Sequence, residues 1–155
     1  MIHIRRLAAL AVSCALLTAL VPAHAAPPTR AEQILKYRKS LYQVMAFNFG
    51  PIAAMAQGKV PYDAKEFALR AERVAMIPPL LGEAYPAETQ GVADSALKPE
   101  MWDNRGDFDA KLKDLVDKSA ALAVAAKTGD FAQSKAAFFE TGNACKNCHD
   151  KYRKQ

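Results

Sequence analysis

Histidine and cysteine are scarce in this chain, with three of each in 155 residues. Their positions matter more than their number. His3, His24 and Cys14 fall in the first 25 residues, so the remainder holds one histidine, His149, and two cysteines, Cys145 and Cys148. A structural zinc site needs four ligands, and this set supplies three before any carboxylate is counted. A disulfide framework needs several spaced pairs, and the only two thiols of the remainder stand three positions apart. Alternating strand patterns, internal repeats and low-complexity tracts are also missing, which excludes β-sandwiches, barrels and solenoids. One apolar run is long, and it ends early.

That run is Leu7 to Val21, preceded by Arg5 and Arg6 and followed by Pro22 and the small-x-small sequence Ala23-His24-Ala25. The arrangement reads as a secretory signal peptide, residues 1–25, cleaved after Ala25. The run is too short for a comfortable membrane span. Cys14 after Ser13 offers a lipobox, but the apolar stretch before it is very short and a good cleavage site follows. Residues 26–155 then form one soluble domain, with no membrane attachment expected. Without Arg5 and Arg6 the balance is 19 basic against 16 acidic residues, a net charge of +3. The basic residues are spread along the chain apart from Lys151 to Lys154, so no nucleic-acid partner is expected.

Four stretches read as amphipathic helices. Thr29 with Glu32 forms a capping-box pattern opening the first, which carries Ile34, Leu41, Met45, Ile52 and Met55 and stops at Gly58. Asp63 with Glu66 opens the second, which stops at Pro78-Pro79. A Pro- and Gly-rich loop runs from Leu80 to about Pro99. The third starts between Met101 and Asp107, and Thr128-Gly129 breaks it. Asp130 caps the fourth, which carries Phe131, Phe138, Cys145, Cys148, His149 and Tyr152. The fold expected is all-α, an antiparallel four-helix bundle. Ile34, Leu41, Val44, Phe47 and Met55 cannot all face one core, so the first helix has apolar surface to spare.

Cys145-Lys146-Asn147-Cys148-His149 is the Cys-x-x-Cys-His sequence of c-type haem attachment. Two thiols add across the vinyl groups at one porphyrin edge. On a helix, positions i, i+3 and i+4 share a face, so the imidazole following the second thiol reaches iron from one side. A thioredoxin-like Cys-x-x-Cys would need a neighbouring strand–helix unit, which the pattern lacks. Only six residues follow His149, so a sixth iron ligand must come from upstream. It is not histidine. Met45, Met55, Met76, Met101, a tyrosine or a lysine are the protein candidates; otherwise the distal face is open.

Four helices with this motif near the end of the last resemble the cytochrome c′ family, the class II c-type cytochromes, which is among the established examples of the four-helix bundle. The similarity extends to Lys36-Tyr37-Arg38-Lys39-Ser40-Leu41-Tyr42-Gln43-Val44-Met45, the turn from Gly58 to Asp63, Lys98-Pro99-Glu100-Met101-Trp102 and the closing His149-Asp150-Lys151-Tyr152-Arg153. The resemblance implies one haem c, covalent through Cys145 and Cys148, with His149 as proximal ligand. It puts Arg38 at the haem edge, able to pair with a propionate, and Arg153 beside the proximal face. It puts Tyr42 over the distal side, where low-spin relatives carry a methionine. Lys39 stands where the family usually has glutamine. Taken without the resemblance, Arg38 would be an ordinary solvated charge, Tyr42 an ordinary core aromatic and Met45 core filler.

The function implied is electron transfer in the periplasm with an unidentified redox partner, by a five-coordinate high-spin haem whose open face binds nitric oxide or carbon monoxide. The rival is a low-spin electron carrier with Met45 as sixth ligand. A haem enzyme of the peroxidase kind wants a distal acid–base group, and residues 26–155 hold no second histidine to supply one, so no catalytic residue is expected. The resemblance also implies a homodimer formed through the first two helices.

Overall fold

A computed structural model describes residues 26–155; the expected signal peptide and Cys14 lie outside the described residues. Among the described residues there are five α-helices: α1 (Arg30–Ala56), α2 (Ala64–Met76), α3 (Glu100–Asp103), α4 (Arg105–Lys127) and α5 (Phe131–Tyr152). The four long ones form the bundle, and α4 packs against both α2 and α5.

The expected helix ends hold because they rest on local chemistry. Thr29 and Glu32 close a reciprocal capping box on α1. The Asp63 side chain accepts from the backbone N–H groups of Lys65 and Glu66, and the Asp130 side chain from that of Gln133. Such caps satisfy donors that a helix start leaves free. At the end of α1 the Lys59 N–H donates to the Ala54 carbonyl (2.8 Å) and the Gly58 N–H to the Met55 carbonyl (3.0 Å). This closure needs a left-handed residue, which Gly58 supplies with φ 71°.

Pro51 sits inside α1. It has no N–H, so the Phe47 carbonyl one turn earlier loses its intrahelical partner. Arg70 of α2 donates to that carbonyl at 3.4 Å, with its guanidinium 5.6 Å from the Phe47 ring centroid. A backbone defect in one helix is thus met by the helix beside it.

Two regions differ from the sequence expectation. The stretch after Pro78 is not plain loop: two 3-10 helices occupy Pro78–Ala84 and Ala87–Thr89. The third helix is split, because Asn104 leaves the helical region with φ −119° and separates α3 from α4. The Asn104 N–H still donates to the carbonyls of Glu100 and Met101, so the break costs little hydrogen bonding.

Two clusters make up the core. One joins Ile52, Met55, Phe67, Val74, Leu122 and Phe138. The other joins Leu41, Leu81, Tyr85, Met101, Phe108 and Tyr152. Tyr42 and Ile77 pack against both. The second cluster draws on the first half of α1, the start of α4 and the end of α5, as adjacent antiparallel helices require. The opposite end is closed by Tyr62, whose ring lies 4.8 Å from that of Phe131.

Candidate functional site

A cavity of about 590 Å³ opens at the end of the bundle where α5 finishes. That lies within the range of about 300–1,000 Å³ usual for small-molecule and cofactor sites. Cys145, Cys148 and His149 line it from α5, and Arg38, Lys39, Tyr42 and Met45 line it from α1. Arg153 and the segment Ser95 to Leu97 complete the wall. The haem-site residues singled out in the sequence, Cys145, Cys148, His149, Arg38, Lys39, Tyr42 and Arg153, therefore line one space.

Helical spacing explains the α5 side. Cys145, Cys148 and His149 sit on one face; the two cysteines are half-buried and His149 is more exposed. The thiols are free, and burial raises their pKa. Burial, with Arg153 nearby, lowers that of His149. A neutral imidazole is the form that binds a metal.

The end of α5 is tied down by main chain. The Lys98 N–H donates to the Tyr152 carbonyl and the Lys154 N–H to the Ala96 carbonyl, both at 2.8 Å. Leu97 and Arg153 thereby form an isolated antiparallel bridge. The bridge holds the 95–97 segment against the cavity beside His149. Arg153 caps α5, and its side chain stays exposed at the rim, as does that of Lys39.

Arg38 departs most from its ordinary behaviour. It is only 5% exposed. Its Nε donates to the Ala84 carbonyl at 2.7 Å and its Nη2 to the Thr89 hydroxyl at 2.8 Å. Both acceptors are neutral. Nη1 is buried without a hydrogen-bond partner. A buried cation with a free donor is costly unless an anion completes it. An acidic edge of a flat cofactor, such as a haem propionate, fits that requirement, and apolar Leu35, Phe49, Leu112 and Leu115 fit its faces.

Tyr42 is half-buried, and its hydroxyl pairs with that of Tyr85 at 2.7 Å. Tyr85 and Thr89 were not legible from the sequence. Both lie in or beside the 3-10 segments, whose short period carries no core-face signal. Among the four candidate methionines, Met45 lines the cavity and also packs in the first core cluster. Met55 and Met101 are buried elsewhere, and Met76 is 66% exposed.

Comparison with known proteins agrees. The sequence profile of the family described as Cytochrome C′ matches residues 33–153. Cytochrome c′ of Rubrivivax gelatinosus is 43% identical over 124 residues, covering 78% of this chain and 94% of that protein. The structure of cytochrome c prime from Shewanella frigidimarina superposes with a TM-score of 0.78 at 37% identity, covering 83% of this chain and 100% of that one. A nitric oxide complex of a mutant of cytochrome c prime from Alcaligenes xylosoxidans has a TM-score of 0.75 at 32% identity, covering 83% and 99%. A carbon monoxide-bound variant of the same protein has a TM-score of 0.75 at 33% identity, covering 82% and 98%. With a four-helix bundle, an apolar cavity at its open end and relatives matched over nearly their whole length, the chain belongs to the cytochrome c′ family of proteins with covalent c-type haem.

Proposed function

We propose that this chain is an exported, single-haem cytochrome c′ that exchanges electrons and binds nitric oxide or carbon monoxide at an open distal face. Cys145 and Cys148 hold the haem through thioethers, and His149 is the proximal iron ligand. Bound haem supplies one-electron exchange and a free coordination position for a diatomic gas. The observation that carries this reading is the convergence of those three α5 groups and buried Arg38 on one apolar cavity. Arg38 offers its unpartnered Nη1 to a propionate. Tyr42 covers the distal side and excludes water without coordinating, since its hydroxyl is engaged by Tyr85. Lys39 and Arg153 contribute positive charge at the rim. No residue is assigned a catalytic role.

The competing reading is a low-spin carrier with Met45 as sixth ligand, favoured by the presence of Met45 in the cavity wall. Membership of the first core cluster argues against it, because the side chain already has an apolar role there. Optical spectra separate the two. The expected ferric protein is high-spin, and the ferrous protein takes up carbon monoxide. A low-spin ferric spectrum with the charge-transfer band of methionine ligation, lost on Met45→Ala and kept on Tyr42→Ala, would establish the carrier instead. Mass spectrometry of the purified protein should show a chain starting at Ala26, one added haem and no free thiol. Haem that acid and organic solvent extract would refute the thioether assignment.

A further inference from the structure

Tyr85 is held far more firmly than the tyrosine it touches. The Arg38 guanidinium lies 4.1 Å from its ring centroid. The Phe108 ring meets it edge-on at 4.7 Å. Its carbonyl accepts from Arg105 Nη1 at 2.7 Å. Arg38 is itself fixed by Ala84 and Thr89. Tyr85 is therefore buried, stacked and clamped, at the end of a 3-10 helix that packs on α1 and α4.

Tyr42 has a different standing. It projects from α1 into the cavity, with its hydroxyl bonded to that of Tyr85. Burial pushes the pKa of both phenols upward, so the pair is neutral and its geometry does not depend on ionisation near neutral pH. Moving the Tyr42 ring breaks the hydroxyl–hydroxyl bond and shifts its packing on the core, whereas moving the Tyr85 ring would also disrupt its contacts with Arg38 and Phe108.

We infer that Tyr85 is a positioning residue that latches Tyr42 over the distal face and so sets the rate at which a diatomic ligand enters. This rests on the open-face reading. Entry requires Tyr42 to swing aside, and the latch bond must break before it does. Its loss should raise the association rate about fivefold, the effect of one net neutral hydrogen bond. Tyr85 is 43 positions from Tyr42, so the latch ties the 3-10 segment to ligand entry.

The test is a double-mutant cycle on carbon monoxide association with the ferrous holoprotein, followed by stopped flow. Tyr85→Phe keeps the ring, its contact with Arg38 and its edge contact with Phe108, and removes only the hydroxyl. Tyr42→Phe removes the same bond from the other side while leaving the covering ring. Each single variant is expected to bind about fivefold faster, and the double variant no faster than either, because both changes delete one bond. A purely structural role for Tyr85 would not produce that non-additivity. Tyr85→Phe at the wild-type rate, with Tyr42→Ala accelerated, overturns the latch and leaves the open face intact. Effects of the two Phe substitutions that simply add also overturn it. A low-spin wild type whose uptake ignores Tyr42→Ala overturns the open-face reading and the latch with it.

Discussion

Arg38 shows how one residue changes meaning between the chain and the fold. Arginine on a helix is normally solvated, yet this one is buried, and burial lowers its pKa. The planar fork reaches two acceptors on separate segments, which a lysine ammonium does not reproduce. Arg38→Leu leaves the Ala84 carbonyl without this donor and removes the cation over Tyr85. The holoprotein should lose about 1–3 kcal/mol of stability, read from the midpoint of chemical denaturation. Arg38→Lys should not restore it. A variant as stable as wild type would show that Arg38 completes no anion.

At the scale of the element, caps and the closure of α5 satisfy helix ends that would otherwise stay open. Removing the Asp63 side chain frees the Lys65 and Glu66 N–H groups at the start of α2. Asp63→Ala should cost about 1 kcal/mol in denaturation, with the visible spectrum unchanged, because α2 begins at the end of the bundle away from the cavity. The last turn of α5 depends on Asp107 instead. Its carboxylate accepts from the Tyr152 hydroxyl and, at 3.0 Å, from Lys151 Nζ, and these two bonds hold its pKa below the usual aspartate value. A depressed acid stabilises fully above its unfolded pKa, and the contribution fades as pH falls through the folded value. Acid should therefore loosen the α5 terminus, seen as faster amide exchange near Tyr152. Asp107→Asn should remove that pH dependence.

At the scale of the whole molecule, the outer face of α1 and α2 carries exposed apolar side chains. Phe47 is 72% exposed and Met76 66%, with Val44 and Leu69 also exposed. Val44 and Phe47 share a face of α1, and α1 packs on α2. A second copy of the chain would bury these groups across a two-fold axis. Sedimentation at micromolar concentration should report twice the mass of the mature chain, and Phe47→Glu should reduce it to one. A monomeric wild type would refute the dimer. Among the described residues no helix is long and apolar enough to cross a membrane.

What the sequence determined by itself was everything governed by neighbours in the chain. The Cys145, Cys148, His149 grouping is legible because one helical turn sets it. The starts of α1, α2 and α5 are legible because Thr29, Asp63 and Asp130 bond to N–H groups within three residues. The end of α1 at Gly58 is legible because the turn demands positive φ. The spare apolar face of α1 is legible too, since no single stripe can hold Val44 and Phe47 with Leu41 and Met55. Only the tertiary structure decided the rest. The split at Asn104 and the 3-10 turns after Pro78 leave no periodic trace. The burial of Arg38 depends on Ala84 and Thr89, 46 and 51 positions away. Tyr85 meets Tyr42 only when that segment folds back onto α1. Such contacts are set by packing between distant segments, and local propensity carries no record of them.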